Sequence, residues 1–183
     1  MRFRLDVSPA ALLLFSLIYF FDSTGTTSLI VPAAAVHELG HLAVLRFFKV
    51  NITRIRLTVT GLVIDSMGNP STRLFCIMST SSGPLAGFVL ALICSCFSSE
   101  YIRLCGAVSF WLSVLNLLPA YPLDGGRLLS GLVPTVSFAK VSLITSAILL
   151  AAGIVIFFAL SAIVPMLFGL WLVLVNIKSG IVD

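Results

Sequence analysis

At 183 residues, 59% hydrophobic and only 10% charged, with a mean hydropathy of +1.15, the chain lies far from soluble domains, in which roughly 25% of residues are charged. Its net charge of +4 sits on dispersed basic residues with no aromatic-basic surface between them, which argues against a nucleic-acid partner and leaves the charge to orient the chain in a bilayer. With about 20 apolar residues needed per crossing, there is room for about six helices in one membrane domain spanning 1–183.

Arg2 and Arg4 precede an apolar stretch from about 7 to 21. No small-residue cleavage site follows it, so the sequence predicts a retained first helix rather than a secretory signal. That helix is short for a crossing and needs local thinning of the bilayer. A polar turn over 22–27 leads to a second segment, about 28–48, which carries Val36-His37-Glu38-Leu39-Gly40-His41 near its middle and ends in Arg46 and Lys49. Ionisable groups at membrane depth are costly and mark functional sites. The chain has two histidines, and both fall in this motif. Residues four apart return to one helix face, so His37 and His41 can bind one metal ion, with Glu38 beside the first ligand and within reach of a water.

Between about 50 and 66 the period changes. Ile52, Arg54, Arg56, Thr58 and Thr60 alternate with Thr53, Ile55, Leu57 and Val59, which predicts a strand pair or small sheet at the membrane surface, inserted between segments two and three. An open edge there could pair with an extended peptide.

Segment three, about 73–97, contains Ser79-Thr80-Ser81-Ser82-Gly83-Pro84-Leu85-Ala86-Gly87. Small residues let helices approach closely, and Pro84 frees a backbone carbonyl, both suited to a helix packed on the metal-bearing one. Segment four, about 101–118, runs into Asn116-Leu-Leu-Pro119-Ala-Tyr-Pro122-Leu-Asp124-Gly125-Gly126-Arg127. Two prolines three apart and a glycine pair force the helix to unwind. Asp124 at that break is the natural third metal ligand. Segments five and six, about 138–160 and 162–177, carry no acid or histidine and read as scaffold or gate.

Cys76, Cys94, Cys96 and Cys105 lie in or beside apolar segments without a C-x-x-C spacing and read as small packing residues, a pairing with Cys105 staying open. If the N-terminus is cytoplasmic and six segments cross, only Arg103 of the eleven basic residues lies outside, a strong positive-inside bias that puts the site nearer the cytoplasmic side.

Two histidines and an aspartate with a fourth position left for water form a catalytic rather than a structural zinc pattern. Zinc lowers the pKa of a bound water toward about 7 and polarises a carbonyl. Glu38 would take the proton of the attacking water and pass it to the leaving amine, and Asn116 could donate to the substrate backbone or the developing oxyanion.

The HELGH helix, the Ser82-Gly83-Pro84 segment and the Asn-x-x-Pro-x-x-Pro-x-Asp-Gly pattern from Asn116 resemble the site-2 protease family of intramembrane zinc metalloproteases, peptidase family M50. The resemblance covers about 27–132 as the core, with 7–21, 138–160 and 162–177 as accessory helices. It implies an all-α polytopic membrane protein, with His37, His41 and Asp124 as zinc ligands, Glu38 as general base and Asn116 as a substrate-positioning residue. It also implies a sheet edge that receives an extended membrane-associated protein or peptide substrate. Within the family the chain is similar to the short six-segment sporulation proteases that cleave a membrane-associated sigma-factor precursor, which implies a bacterial cell membrane and leaves anti-sigma factors and inhibitory membrane partners as related expectations. Many members carry Asn where Gly87 stands, and no PDZ-like or nucleotide-sensing domain is expected after Asp183. Substrate identity and oligomeric state stay open. The competing readings are a membrane metal transporter or channel using the same midplane ligands and a catalytically silent binding protein.

Overall fold

The computed structural model describes residues 4–9, 11–13, 16, 20, 22, 25, 27–58, 61–67, 70 and 72–178. Its contacts divide into two compact units, Met1–Ser113 and Val114–Asp183. Seven of the fifteen residues of the expected first helix, 7–21, lie outside the described residues; of the others, 9, 11–13, 16 and 20 are helical, whereas Val7 ends a strand.

In the first unit a three-stranded sheet, order β1-β2-β3, is built from β1 (Arg4–Val7), β2 (Asn51–Thr58) and β3 (Gly61–Met67). The alternating run forms β2, and β3 returns antiparallel to it. The third strand departs from the expected pair. Arg4-Leu5-Asp6-Val7 pairs in parallel with Arg54–Leu57, so the sheet is more than an insertion between two helices. A four-residue strand is too short to declare itself by period. Register shifts between Ile52 and Arg54, where the Thr53 hydroxyl donates to the Asp65 carbonyl at 3.1 Å. That extra residue reverses the alternation and moves Ile52 onto the face of Ile55. Arg54 pairs with Asp6, and Arg56 with Asp65 at 3.0 Å.

Helix α1 (Thr27–Phe47) carries the histidine motif. Its C-terminus closes with Lys49 N–H on Arg46 O at 3.0 Å and Val50 N–H on Leu45 O at 2.9 Å, the Schellman pattern, with Lys49 at φ 54° where glycine is usual. An L-residue in this left-handed conformation costs about 1 kcal/mol or more. Helix α2 (Arg73–Ser95) starts at Thr72, whose hydroxyl accepts from Phe75 N–H at 3.2 Å. α1 and α2 touch closely at Gly40, where a Cβ would lie 2.5 Å from Ser82 O and 2.8 Å from Ala86 Cβ.

Helix α3 (Glu100–Asn116) is fixed to α2 by small residues. A Cβ on Gly106 would meet Cys94 Cβ at 2.6 Å, and one on Gly87 would meet Ser113 Oγ at 2.1 Å. The Ser109 hydroxyl donates to Gly87 O at 2.9 Å. The space that a larger residue at 87 would occupy is therefore taken by the serines of α3. All four cysteines are free, in keeping with packing roles.

The second unit holds the end of α3, the non-helical stretch Leu117–Leu123, α4 (Asp124–Ser130), α5 (Thr135–Leu160) and α6 (Ile163–Lys178). α5 and α6 form an antiparallel hairpin turned at Ser161, with Gly153 and Gly169 at the crossing, where Cβ atoms would come within 2.6 Å of Pro165 O and 2.5 Å of Leu150 Cα. A small core of Ala120, Leu123 and Leu172 joins the stretch before Asp124 to this hairpin.

Among the described residues, three helices are long and apolar enough to cross a membrane: Ser28–Phe47, Arg73–Ser95 and Ser137–Leu160. The last has a mean hydropathy of 2.7 with only 11% of its window buried, so its apolar side chains are left for lipid. The other two later segments appear as shorter helices, α3 with 17 residues and α6 with 16. The fold is thus a mostly helical membrane architecture with a small sheet.

Candidate metal centre

His37 and His41, one turn apart on α1, bring their Nε2 atoms to 3.3 Å, with the rings edge to face. Two nitrogens each about 2.0–2.1 Å from one zinc ion at a tetrahedral angle stand about 3.3–3.4 Å apart. The pair therefore has the bite of a single tetrahedral ion.

The protonation of His41 follows from its other nitrogen. Nδ1 lies 2.7 Å from the carbonyl oxygen of Ser79 on α2. A carbonyl can only accept, so Nδ1 carries the proton, and in the neutral ring Nε2 holds a lone pair that a cation could take. Ser82 Oγ, 3.4 Å from the same Nδ1, donates to Ser79 O at 3.1 Å. The hydroxyls of Ser79 and Thr80 bond back to Cys76 O at 3.2 and 2.7 Å, so they do not compete for the imidazole. Pro84 offers no N–H to Thr80, which loosens the turn of α2 that faces His41.

Gly83 supplies the room. A Cβ there would sit 2.2 Å from His41 Nε2 and 2.7 Å from His37 Nε2. Only a residue without a side chain leaves space beside both Nε2 atoms, and the residues present fit a metal ion. His37 is 5% exposed, and Glu38, the next residue on α1, is half-buried.

The other two expected site residues lie in the second unit. Asn116 is the last residue of α3 and is half-buried. Asp124, 6% exposed, opens α4, where a carboxylate is favoured by the helix dipole. The unwinding expected around the two prolines spans Leu117–Leu123, and the glycine pair after Asp124 has a steric cause. A Cβ on Gly125 would meet Leu117 O at 2.1 Å, and one on Gly126 would meet Ala120 C at 2.5 Å. Without side chains at both positions, α4 can fold back onto the stretch that leads into it.

One polar cluster goes beyond the residues expected from sequence. Asn176, 1% exposed on α6, donates from Nδ2 to Tyr121 O at 2.8 Å, to Leu172 O at 2.8 Å and to Ser146 Oγ at 3.1 Å. Its Oδ1 accepts from Ser142 Oγ at 2.5 Å, while Ser142 Oγ accepts from Tyr121 N–H at 2.8 Å. Both backbone groups of Tyr121 are thereby anchored to α5 and α6, three residues before Asp124. The signal in the sequence is Asn176, Ser142 and Ser146 in otherwise apolar helices, which a search for acids and histidines passes over.

Known proteins resemble the chain in sequence and in fold. The sequence pattern of peptidase family M50 matches residues 95–160, which include Asn116 and Asp124. Rip3 of Mycobacterium tuberculosis, named as a zinc metalloprotease and found in two strains, is 27% identical over 128 residues, covering 62% of this chain. Residues 95–160 are thus similar to peptidase family M50. It spans about a third of the length of the Rip3 relatives, 32%. The site-2 protease from Methanocaldococcus jannaschii shares the fold of this chain, with a TM-score of 0.64 over 97% of this chain and 91% of that one, at 21% identity.

Proposed function

We propose that this chain is an intramembrane zinc metalloendopeptidase of the site-2 protease family, M50, with His37, His41 and Asp124 as its metal ligands. The observation that carries the reading is the pair of Nε2 atoms 3.3 Å apart, one of them fixed as a lone-pair donor by the Ser79 carbonyl. The burial of Asp124 and its anchored approach through Tyr121 support its part. Zinc held there would polarise a peptide carbonyl and acidify a water.

The chain's own residues do the rest. Glu38 accepts the proton of the attacking water and delivers it to the departing amine nitrogen. Asn116 donates to the substrate backbone or to the developing oxyanion. The Nδ1–H of His41, donated to Ser79 O, would hold its ring in place.

The substrate we propose is a transmembrane or membrane-associated protein, a sporulation sigma-factor precursor or an anti-sigma factor being the finer candidates. It would be met in extended form at the sheet edge, from the cytoplasmic side of a bacterial cell membrane crossed six times with the N-terminus inside. Inhibitory membrane partners would act on the same approach. The test is co-expression with such substrates, comparing wild type with Glu38→Gln. Cleavage should fall by roughly 10²–10⁴-fold while zinc content persists. Intact processing by Glu38→Gln would overturn the protease mechanism, and metal uptake into vesicles that needs His37 and ignores Glu38 would replace the protease by a transporter.

A further inference from the structure

Between the sheet and the end of α1 lies an open pocket of about 980 Å³ that the proposed protease chemistry does not use. Leu42, Arg46, Lys49, Val50, Asn51, Ile52 and Ile55 line it. One rim is cationic and the walls are aliphatic, with no acid among the lining residues. Arg54 and Arg56, the other cations of this region, are paired with Asp6 and Asp65. Arg46 and Lys49 form no ion pair with an acid among the described residues. They also sit at the end of a helix apolar enough to cross the bilayer, Ser28–Phe47, which is the depth of lipid headgroups.

Two backbone features build the pocket at a cost to the fold. The bulge at Thr53 turns Ile52 onto the face of Ile55, which gives the cavity its apolar wall. Lys49 holds the left-handed position of the Schellman turn, where glycine would be free of strain. A lysine stands there against that conformational preference, and one that merely snorkelled would be equally served one residue earlier or later.

We propose that this pocket binds one anionic phospholipid, its phosphate held by Arg46 and Lys49 with help from the Asn51 amide, and its glycerol and upper acyl carbons against Leu42, Val50, Ile52 and Ile55. Charge complementarity selects the anionic headgroup. The aliphatic walls select a lipid over a free phosphate.

The test measures lipid carried by the full chain, extracted from nanodiscs of phosphatidylcholine with or without phosphatidylglycerol, by native mass spectrometry. Wild type should retain one phosphatidylglycerol in preference to phosphatidylcholine. Lys49→Gly should lose retention about fivefold, and Arg46→Gln with Lys49→Gln about thirtyfold, taking the usual contribution of each basic residue near an anionic surface. Lys49→Gly is the decisive variant, because it relieves the backbone strain and should melt at a higher temperature while binding less lipid. Equal retention of both lipids by wild type, or full phosphatidylglycerol retention by Lys49→Gly, would overturn the proposal. So would displacement of the lipid by millimolar glycerol 3-phosphate, which would make the ligand a soluble phosphate. A Lys49→Gly protein that keeps its lipid and loses only affinity for an acidic peptide would make the pocket a peptide site instead.

Discussion

The Nδ1 atom of His41 on α1 lies 2.7 Å from the carbonyl oxygen of Ser79 on α2, and this bond leaves Nε2 as the imidazole nitrogen with a lone pair to offer a metal. Helix packing and ligand chemistry are therefore the same contact. Whatever separates α1 from α2 should release the metal before it unfolds the chain.

Gly83→Ala puts a methyl group 2.2 Å from His41 Nε2 and 2.7 Å from His37 Nε2. The imidazoles must move apart, and zinc affinity should fall about 10–100-fold, the range seen when ligand-orienting contacts are lost. Competition with a chelator on the purified protein measures it, with helicity by circular dichroism unchanged.

Gly40→Leu acts on the same helix pair from the other side, where a Cβ already meets Ser82 O at 2.5 Å. A crossing this close has no slack, and overpacking should cost about 1–3 kcal/mol. Thermal unfolding in detergent should show it, with loss of zinc at or below the melting transition.

Gly87→Asn introduces the residue frequent in the family at that place. Here its Cβ would stand 2.1 Å from Ser113 Oγ, so the single variant should be destabilised. Adding Ser113→Gly removes the obstructing hydroxyl and should recover much of the loss. Comparing melting temperatures of the two singles and the double variant measures this coupling.

How far the sequence reaches can be judged from such residues. The metal motif is legible because a carboxylate and two imidazoles are too costly in an apolar run unless something bound there offsets them, and the broken helix before Asp124 because proline and glycine act locally. Helix bounds at 27–47 and 73–95 lie close to the segments read from hydropathy alone. The β1 strand is not legible, since pairing of Asp6 with Arg56 joins residues far apart in sequence. The bulge at Thr53 is also hidden: nothing in an alternating run marks the residue that will be left unpaired. Gly87 looks like a departure until α3 supplies Ser109 and Ser113 against it.

Asn176→Leu removes the side chain that holds Tyr121 O and leaves Ser142 and Ser146 without their shared partner. Each buried group left unsatisfied costs about 1–3 kcal/mol. The variant should melt lower and be cut faster by protease between Leu117 and Leu123, ahead of the helical parts. Asn176→Ala should behave alike, whereas Asp6→Asn, which breaks an exposed pair with Arg54, should change stability by less than about 1 kcal/mol.

The central claim is one metal ion held by His37, His41 and Asp124. Zinc-edge X-ray absorption on the purified full chain tests it most directly, with Asp124→Ala alongside. Wild type should give one zinc per chain in a four-coordinate shell of two imidazole nitrogens and light oxygen donors, and Asp124→Ala should lose an oxygen or the zinc itself. A shell containing cysteine sulfur, or a wild-type spectrum reproduced unchanged by Asp124→Ala, would contradict it.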